Sequence, residues 1–251
     1  MALSSLFIIL LAGLGIYSIA MSRTAAELAP PQQLWHLASF TLGLLAALAV
    51  FIPSPDILGP DHRFTVSMAQ MLFAVDLGPL LLFLGIPTVM LQPLLRWDTL
   101  GRRLTRTLLV GLVSTTVLIG WFVPVFFEAA SRDLTIWILK QMMFLVSGLL
   151  FWWPVAGPLL VWRPAYPVQI LYLFIMRIPM TILGILITFA NQLIYTSRSF
   201  ALEICAPSSL SDQLAGGLVM WSGGGLIVIA AFVAVFFRWF GAQNTVESKE
   251  F

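Results

Sequence analysis

The chain has 251 residues, 60% of them hydrophobic and only 10% charged, with a formal net charge of +2. Soluble domains carry about 25% charged residues, so this composition is that of a polytopic membrane protein, and a balance of +2 excludes a nucleic-acid partner held by a basic surface. A lone cysteine, Cys205, excludes an internal disulfide framework and any multi-cysteine metal or iron–sulfur site.

Seven apolar stretches follow one another, each about long enough to cross ~30 Å of hydrocarbon as a helix. The first, residues 3–20, has no positive residue ahead of it and no clear small-residue cleavage motif behind it, so it is read as a retained span rather than a signal peptide. Residues 34–52 form the second. A loop rich in proline, with Asp56, Asp61, His62 and Arg63, then marks a membrane exit. The third stretch, residues 65–94, carries Pro79, Pro87 and Pro93 and should kink or end near Pro87. A loop with four arginines leads to the fourth, residues 107–127. The fifth, residues 134–154, ends in FWWPV, a tryptophan pair at the level of an aromatic belt. The sixth covers residues 168–194. The seventh, residues 212–240, holds Gly223, Gly224 and Gly225 in mid-span, which weakens a helix and suits close packing or a local bend. The expected fold is therefore all-α, one membrane domain over residues 1–251 built as a seven-helix bundle.

Orientation follows from the basic residues. With the loop from Arg96 to Arg106 in the cytoplasm, one side holds Arg23, Arg96, Arg102, Arg103, Arg106, Arg163, Arg238 and Lys249, and the other Arg63, Arg132 and Arg198. This positive-inside bias puts the N-terminus outside and the C-terminus in the cytoplasm.

Ionisable groups inside spans are costly and mark either internal pairing or function. Asp76 and Arg177 both fall roughly 16 Å below the outer surface and Lys140 roughly 9 Å below it. Asp76 can pair with Arg177, or with Lys140 through its flexible stem. The pairing locks three helices together; the alternative is a proton or ion path, which needs more polar neighbours than the sequence supplies. Of two histidines, His36 lies near the inner end of its span and His62 in an outer loop, too far apart in depth to share a metal. Methionine thioethers suit Cu(I), and Met68, Met71 and Met142 form the candidate soft-ligand set, although methionine in an apolar span more often only packs. Met142 and Met143 are adjacent, and Met176 and Met180 stand one turn apart.

Four motifs in order, SMAQMLFAVDLGPLLLFLGIP at 67–87, VPVFFEAA at 123–130, MFLVSGLLFWWPV at 143–155 and SDQLAGGLVMWSGGG at 211–225, carry a resemblance to the cytochrome c oxidase assembly factor family of the seven-helix CtaG type. The resemblance implies a multi-pass protein of the bacterial cytoplasmic (inner) membrane, a part in copper delivery or maturation of cytochrome c oxidase, and partners among the subunits of a haem–copper oxidase besides membrane lipid. Glu128, Asp212 and Gln213 match the family's outer rim. The family's third span usually has histidines flanking the Met and Gln, where this chain has Ser67 and Met71, and its fifth usually has a histidine where this chain has Gln141. Copper is thus the only cofactor implied, and its expected site is degenerate.

Three functions compete. The first is an oxidase assembly factor, with thioethers replacing imidazoles. The second is a non-catalytic accessory subunit held permanently in a respiratory or other electron-transfer complex. The third is a small transporter using Asp76, Lys140 and Arg177, which calls for internal repeats that the sequence does not display. No enzyme is expected, since there is no nucleophile–base pairing and no phosphate loop.

Overall fold

Within hydrocarbon every backbone N–H and C=O must be satisfied inside its own segment, which leaves the helix as the local solution for an apolar run. The computed structural model describes residues 2–24, 29–52, 63–91, 107–195 and 207–247, and among these every regular element is helical. The helices are α1 (Ala2–Thr24), α2 (Pro30–Ala49), α3 (Arg63–Leu72), α4 (Gly78–Gly85), α5 (Thr107–Trp121), α6 (Pro124–Arg132), α7 (Leu134–Ala156), α8 (Tyr166–Thr188), α9 (Pro207–Leu218) and α10 (Gly224–Glu247). A π turn, Phe73–Leu77, joins α3 to α4, and a second, Val219–Gly223, joins α9 to α10.

Four continuous helical stretches are long and apolar enough to cross a membrane: Phe64–Gly85, Leu134–Ala156, Tyr166–Thr188 and Leu210–Asn244. The pair α5–α6 makes a fifth if it is taken as one broken span, but it bends by 67°. The span expected over 107–127 is therefore a bent pair of helices. Pro124 starts α6 without a backbone donor and pushes Val123 into extended backbone (φ −62°, ψ 127°), so the chain turns aside after Trp121. The third stretch ends at Gly85, short of residue 94, with Ile86 extended ahead of Pro87. The sixth ends at Thr188 rather than 194.

Small residues set the distances between helices. A Cβ at Gly148 of α7 would lie 2.5 Å from the carbonyl oxygen of Val75, so α7 rests directly on the first π turn. Gly43 of α2 meets the α4 backbone at Leu82 in the same way, and Gly85 of α4 meets Phe40. Tyr17 of α1 stacks on Phe40 at 3.9 Å and donates its hydroxyl to Gly85 O at 2.7 Å.

One end of the bundle is closed by aromatic rings. Phe64, Phe127 and Tyr195 sit 4.4–5.6 Å apart, and the Tyr195 hydroxyl donates to Phe122 O at 2.9 Å. At the start of α7, Asp133 is the N-cap: its carboxylate accepts from Thr135 N at 2.7 Å and Ile136 N at 3.2 Å. These backbone bonds hold its carboxyl below the usual carboxylate range. At the other end of α7, Arg163 donates to the carbonyls of Gly157 (2.7 Å) and Ala156 (3.3 Å), and burial lowers its pKa.

Two outcomes follow from this packing. Gly148→Ala should destabilise the bundle by about 1–3 kcal/mol, because the obstructing atoms are backbone and cannot turn away. Gly120→Ala, which meets open space, should leave the detergent melting temperature unchanged or slightly raised. For Asp133 the folded-state pKa lies below the unfolded one, so its stabilisation is present above the ordinary carboxylate value of about 3.9 and is lost as pH falls through the folded value. Asp133→Ala should melt earlier than wild type at neutral pH, and acidification should close the gap.

Candidate functional site between two π turns

The two π turns face each other across α8. In each, a side chain from another element donates to a backbone carbonyl, and in the first the carbonyl is that of Val75, four residues before Pro79, which has no N–H to bind it. Val75 O in the first turn accepts from Trp152 Nε1 at 3.1 Å, and Met220 O in the second accepts from Arg177 Nη2 at 3.0 Å. Arg177 stands midway along α8, and its Nη1 lies 3.5 Å from both oxygens of Asp76, which is itself in the first π turn. One guanidinium therefore ties α8 to both irregular turns.

The site is buried, with Asp76 at 1% exposure and the Arg177 side chain at 12%. At 3.5 Å the pair is longer than the 2.7–2.9 Å of a close charge-assisted bond. Arg177 Nε is buried with no hydrogen-bond partner. Gly224 makes the arrangement possible, because its missing Cβ is the space the guanidinium fills. A small cavity of about 10 Å³, the size of one water, adjoins the pair and is lined by Asp76, Arg177, Met71, Met176 and Met180 among others.

Of the two partners open to Asp76 in the sequence, the structure supplies Arg177. Lys140 does not join the pair. It is buried at 4% exposure in the N-terminal half of α7, with Nζ 4.9 Å from the Phe127 ring centre and 5.9 Å from that of Phe144, a cation–π setting.

The candidate copper ligands separate. Met68 and Met71, each 1% exposed, lie in a core cluster with Met180 and Met220. Met142 is 51% exposed on the exterior of α7, and its neighbour Met143 packs against that core instead. The convergence of Met68, Met71 and Met142 is thus corrected, because successive residues on a helix point about 100° apart. Gln141 donates from Nε2 to Val50 O at 2.8 Å and lies 3.5 Å from Gln70 Oε1, while Gln70 donates to Ile52 O at 2.8 Å. His36 contacts Leu84 O through Nδ1 at 2.9 Å. His62 and Cys205 lie outside the described residues, as do the loop from Arg96 to Arg106, Arg198 and Lys249. Among the described residues no three His, Cys, Asp or Glu side chains gather as metal ligands.

Beside the Phe64–Phe127–Tyr195 rings Asp212, 2% exposed, accepts from Phe64 N at 2.7 Å and Thr65 N at 3.1 Å and so caps α3 from α9. Gln213 accepts from Ile194 N at 2.8 Å and donates to Gln192 O at 3.2 Å, holding the chain that leaves α8. Glu128 is half-buried on α6. The sequence reading missed Trp152 and Met220 as partners of the π turns, although Pro79, four residues after Val75, marks that carbonyl as one without a helical amide. Gly224 was legible as a point of close approach.

Removing one charge of the buried pair should be costly and removing both should not. Arg177→Leu or Asp76→Leu alone should destabilise the bundle by about 3–5 kcal/mol, whereas the double replacement should recover most of the loss. Thermal unfolding of the four proteins in one detergent checks this, and additive losses would refute the coupling.

No curated protein and no solved structure was found to match the chain. The model of the Caa3_CtaG family, described as cytochrome c oxidase caa3 assembly factor, matches residues 15–242. Nearly the whole described bundle, including both π turns, the Asp76–Arg177 pair and the Asp212–Gln213 clasp, falls inside that match, and the chain belongs to this family of oxidase assembly factors.

Proposed function

We propose that the protein serves cytochrome c oxidase assembly as a non-enzymatic, seven-span factor of the bacterial cytoplasmic membrane, acting through protein contacts within the bilayer and with a degenerate metal site. The observation that carries this reading is Gln141. At the position where the resemblance expects an imidazole, a carboxamide is held by Val50 O and set beside Gln70, and it ties α7 to the ends of α2 and α3. A group committed to backbone bonds is a structural tie, and the two nearest thioethers of the expected set, Met68 and Met71, are enclosed by apolar neighbours. Family membership supports the oxidase partner, and the exposed apolar exterior of α7, α8 and α10 supports contacts made in the membrane.

The orientation proposed is N-terminus outside and C-terminus cytoplasmic. Arg163 and Arg238, both assigned to the cytoplasmic side, lie near enough that Arg238 adds to burial in lowering the Arg163 pKa. Such proximity supports their lying at one end of the bundle. Asp133, Asp212 and the Phe64–Phe127–Tyr195 rings would then face outward.

A second reading rests on the small cavity. Met71, Met176 and Met180 all line it beside Asp76 and Arg177, and a group of thioether residues suits Cu(I) as cargo. One preparation separates the two readings: the tagged protein taken from its native membrane in mild detergent, with partner identification and metal analysis. The first predicts oxidase subunits in the eluate and copper well below one per chain. Near-stoichiometric copper that disappears in the Met71→Leu, Met176→Leu, Met180→Leu triple variant would overturn it in favour of the second.

A further inference from the structure

The end of the bundle opposite the Phe64–Phe127–Tyr195 rings gathers charge of one sign. Arg163 follows the short turn Leu160–Trp162 beyond α7, and Arg238 stands in the second half of α10. Val235, one turn before Arg238, packs in a core cluster with Val155 and Ala156 of α7 and with Tyr166 and Ile170 of α8. So α10 carries Arg238 to the place where α7 ends and α8 begins. Burial lowers the pKa of Arg163 and the charge of Arg238 lowers it further, which sets the two guanidiniums within each other's field.

Among the described residues no carboxylate answers them. Asp76 is taken by Arg177 in mid-bundle, and Glu128, Asp133 and Asp212 lie at the far end, around the aromatic rings and the start of α7. Arg163 donates from Nε and Nη2 to the carbonyls of Gly157 and Ala156. Those bonds satisfy two nitrogens; they supply no net negative charge, and Nη1 is left for another acceptor. Arg238 is exposed and half of Arg163 is reachable from outside. The first turn of α8, opening at Tyr166, adds the positive end of its dipole to the same place. Like charges set side by side repel unless an anion lies between them.

We infer that Arg163 and Arg238 together hold the phosphate of an anionic phospholipid, a headgroup with no ammonium of its own. Guanidinium groups match phosphate oxygens in paired N–H donation, so one phosphate can serve both and turn their repulsion into a bridge from α10 to the α7–α8 joint. The surroundings favour a lipid over a free phosphate. Leu160 and Val161 just before Arg163, and Phe237 and Phe240 around Arg238, are apolar and each more than half exposed, which suits acyl chains rather than water. Tyr166 and Trp239 are half-buried beside the two arginines, amphipathic rings of the kind that sit at headgroup level. A zwitterionic headgroup would bring a third cation to the place and does not meet the requirement. On the orientation proposed above, this end meets the cytoplasmic leaflet, where anionic lipids attract basic side chains.

The full chain in a neutral sugar detergent is titrated with phosphatidylglycerol, phosphatidylcholine or inorganic phosphate; bound lipid is counted by native mass spectrometry and stability is followed by thermal unfolding. Wild type should hold one phosphatidylglycerol per chain in preference to phosphatidylcholine, and should unfold at a higher temperature in its presence. Arg238→Gln, at an exposed position, should weaken that binding by about fivefold, and Arg238→Glu should abolish it. Arg163→Gln should weaken it as well, but Arg163 also holds the end of α7, so the Arg238 variants decide the matter if that protein does not fold. Equal binding of the two lipids, or equal binding of phosphatidylglycerol by wild type and Arg238→Gln, overturns the inference. So does stabilisation by inorganic phosphate alone that equals the effect of phosphatidylglycerol and vanishes in Arg238→Gln, which would make this a site for a soluble phosphate.

Discussion

A guanidinium midway along a membrane-spanning helix has to find its partners within the protein, and much of this bundle is arranged to supply them. Arg177 takes a carboxylate from one neighbour and a backbone carbonyl from another, and both come from π turns. The carbonyls of a regular helix are bound to its own amides; Met220 O lies within the second π turn, and Val75 O stands four residues before Pro79, which has no amide to offer it. The cost of burying the charge is thus offset by irregular backbone in α3–α4 and α9–α10, and Trp152 takes up the carbonyl freed in the first turn. The absent side chain of Gly224 completes the fit.

The same logic applies at the rim closed by aromatic rings. Asp212 and Gln213, adjacent in sequence, reach in two directions: one caps the start of α3, the other holds the exit of α8. Three long helices are thereby fixed at this end by two side chains. The aromatic rings of Phe64, Phe127 and Tyr195 cover this joint, and α6, turned aside at Pro124, brings Phe127 into it.

Much of this was legible in the sequence, and the misses have a common origin. Hydropathy located the apolar stretches and the depth of each polar residue, so Asp76 and Arg177 were recognised as potential partners. Depth says nothing about rotation around the helix axis. On α7, Gln141, Phe144, Gly148, Phe151 and Val155 are buried and recur at three- and four-residue spacing. Met142 falls off that stripe and Met143 lies at its edge, and one residue is enough to separate an exterior thioether from one packed on the core. The bend after Trp121 was hidden because VPVFF is as apolar as the span before it; Pro124 was the only signal. The π turns were foreshadowed by Gly78–Pro79 and the three glycines, which announced irregularity without specifying its form.

The clasp at Asp212 and Gln213 bears on how the chain reaches its final state. Phe64 N and Asp212 are 148 residues apart, so the start of α3 has no cap until the last span has been synthesised. Until then the amides of Phe64, Thr65 and Ile194 would have to be served by water or by headgroups at the membrane surface. Closure of this rim is therefore a late event that reports synthesis of the chain through Asp212 and Gln213. A chain arrested before α9 would carry its earlier helices with these ends still untied, a difference that a membrane protease could read.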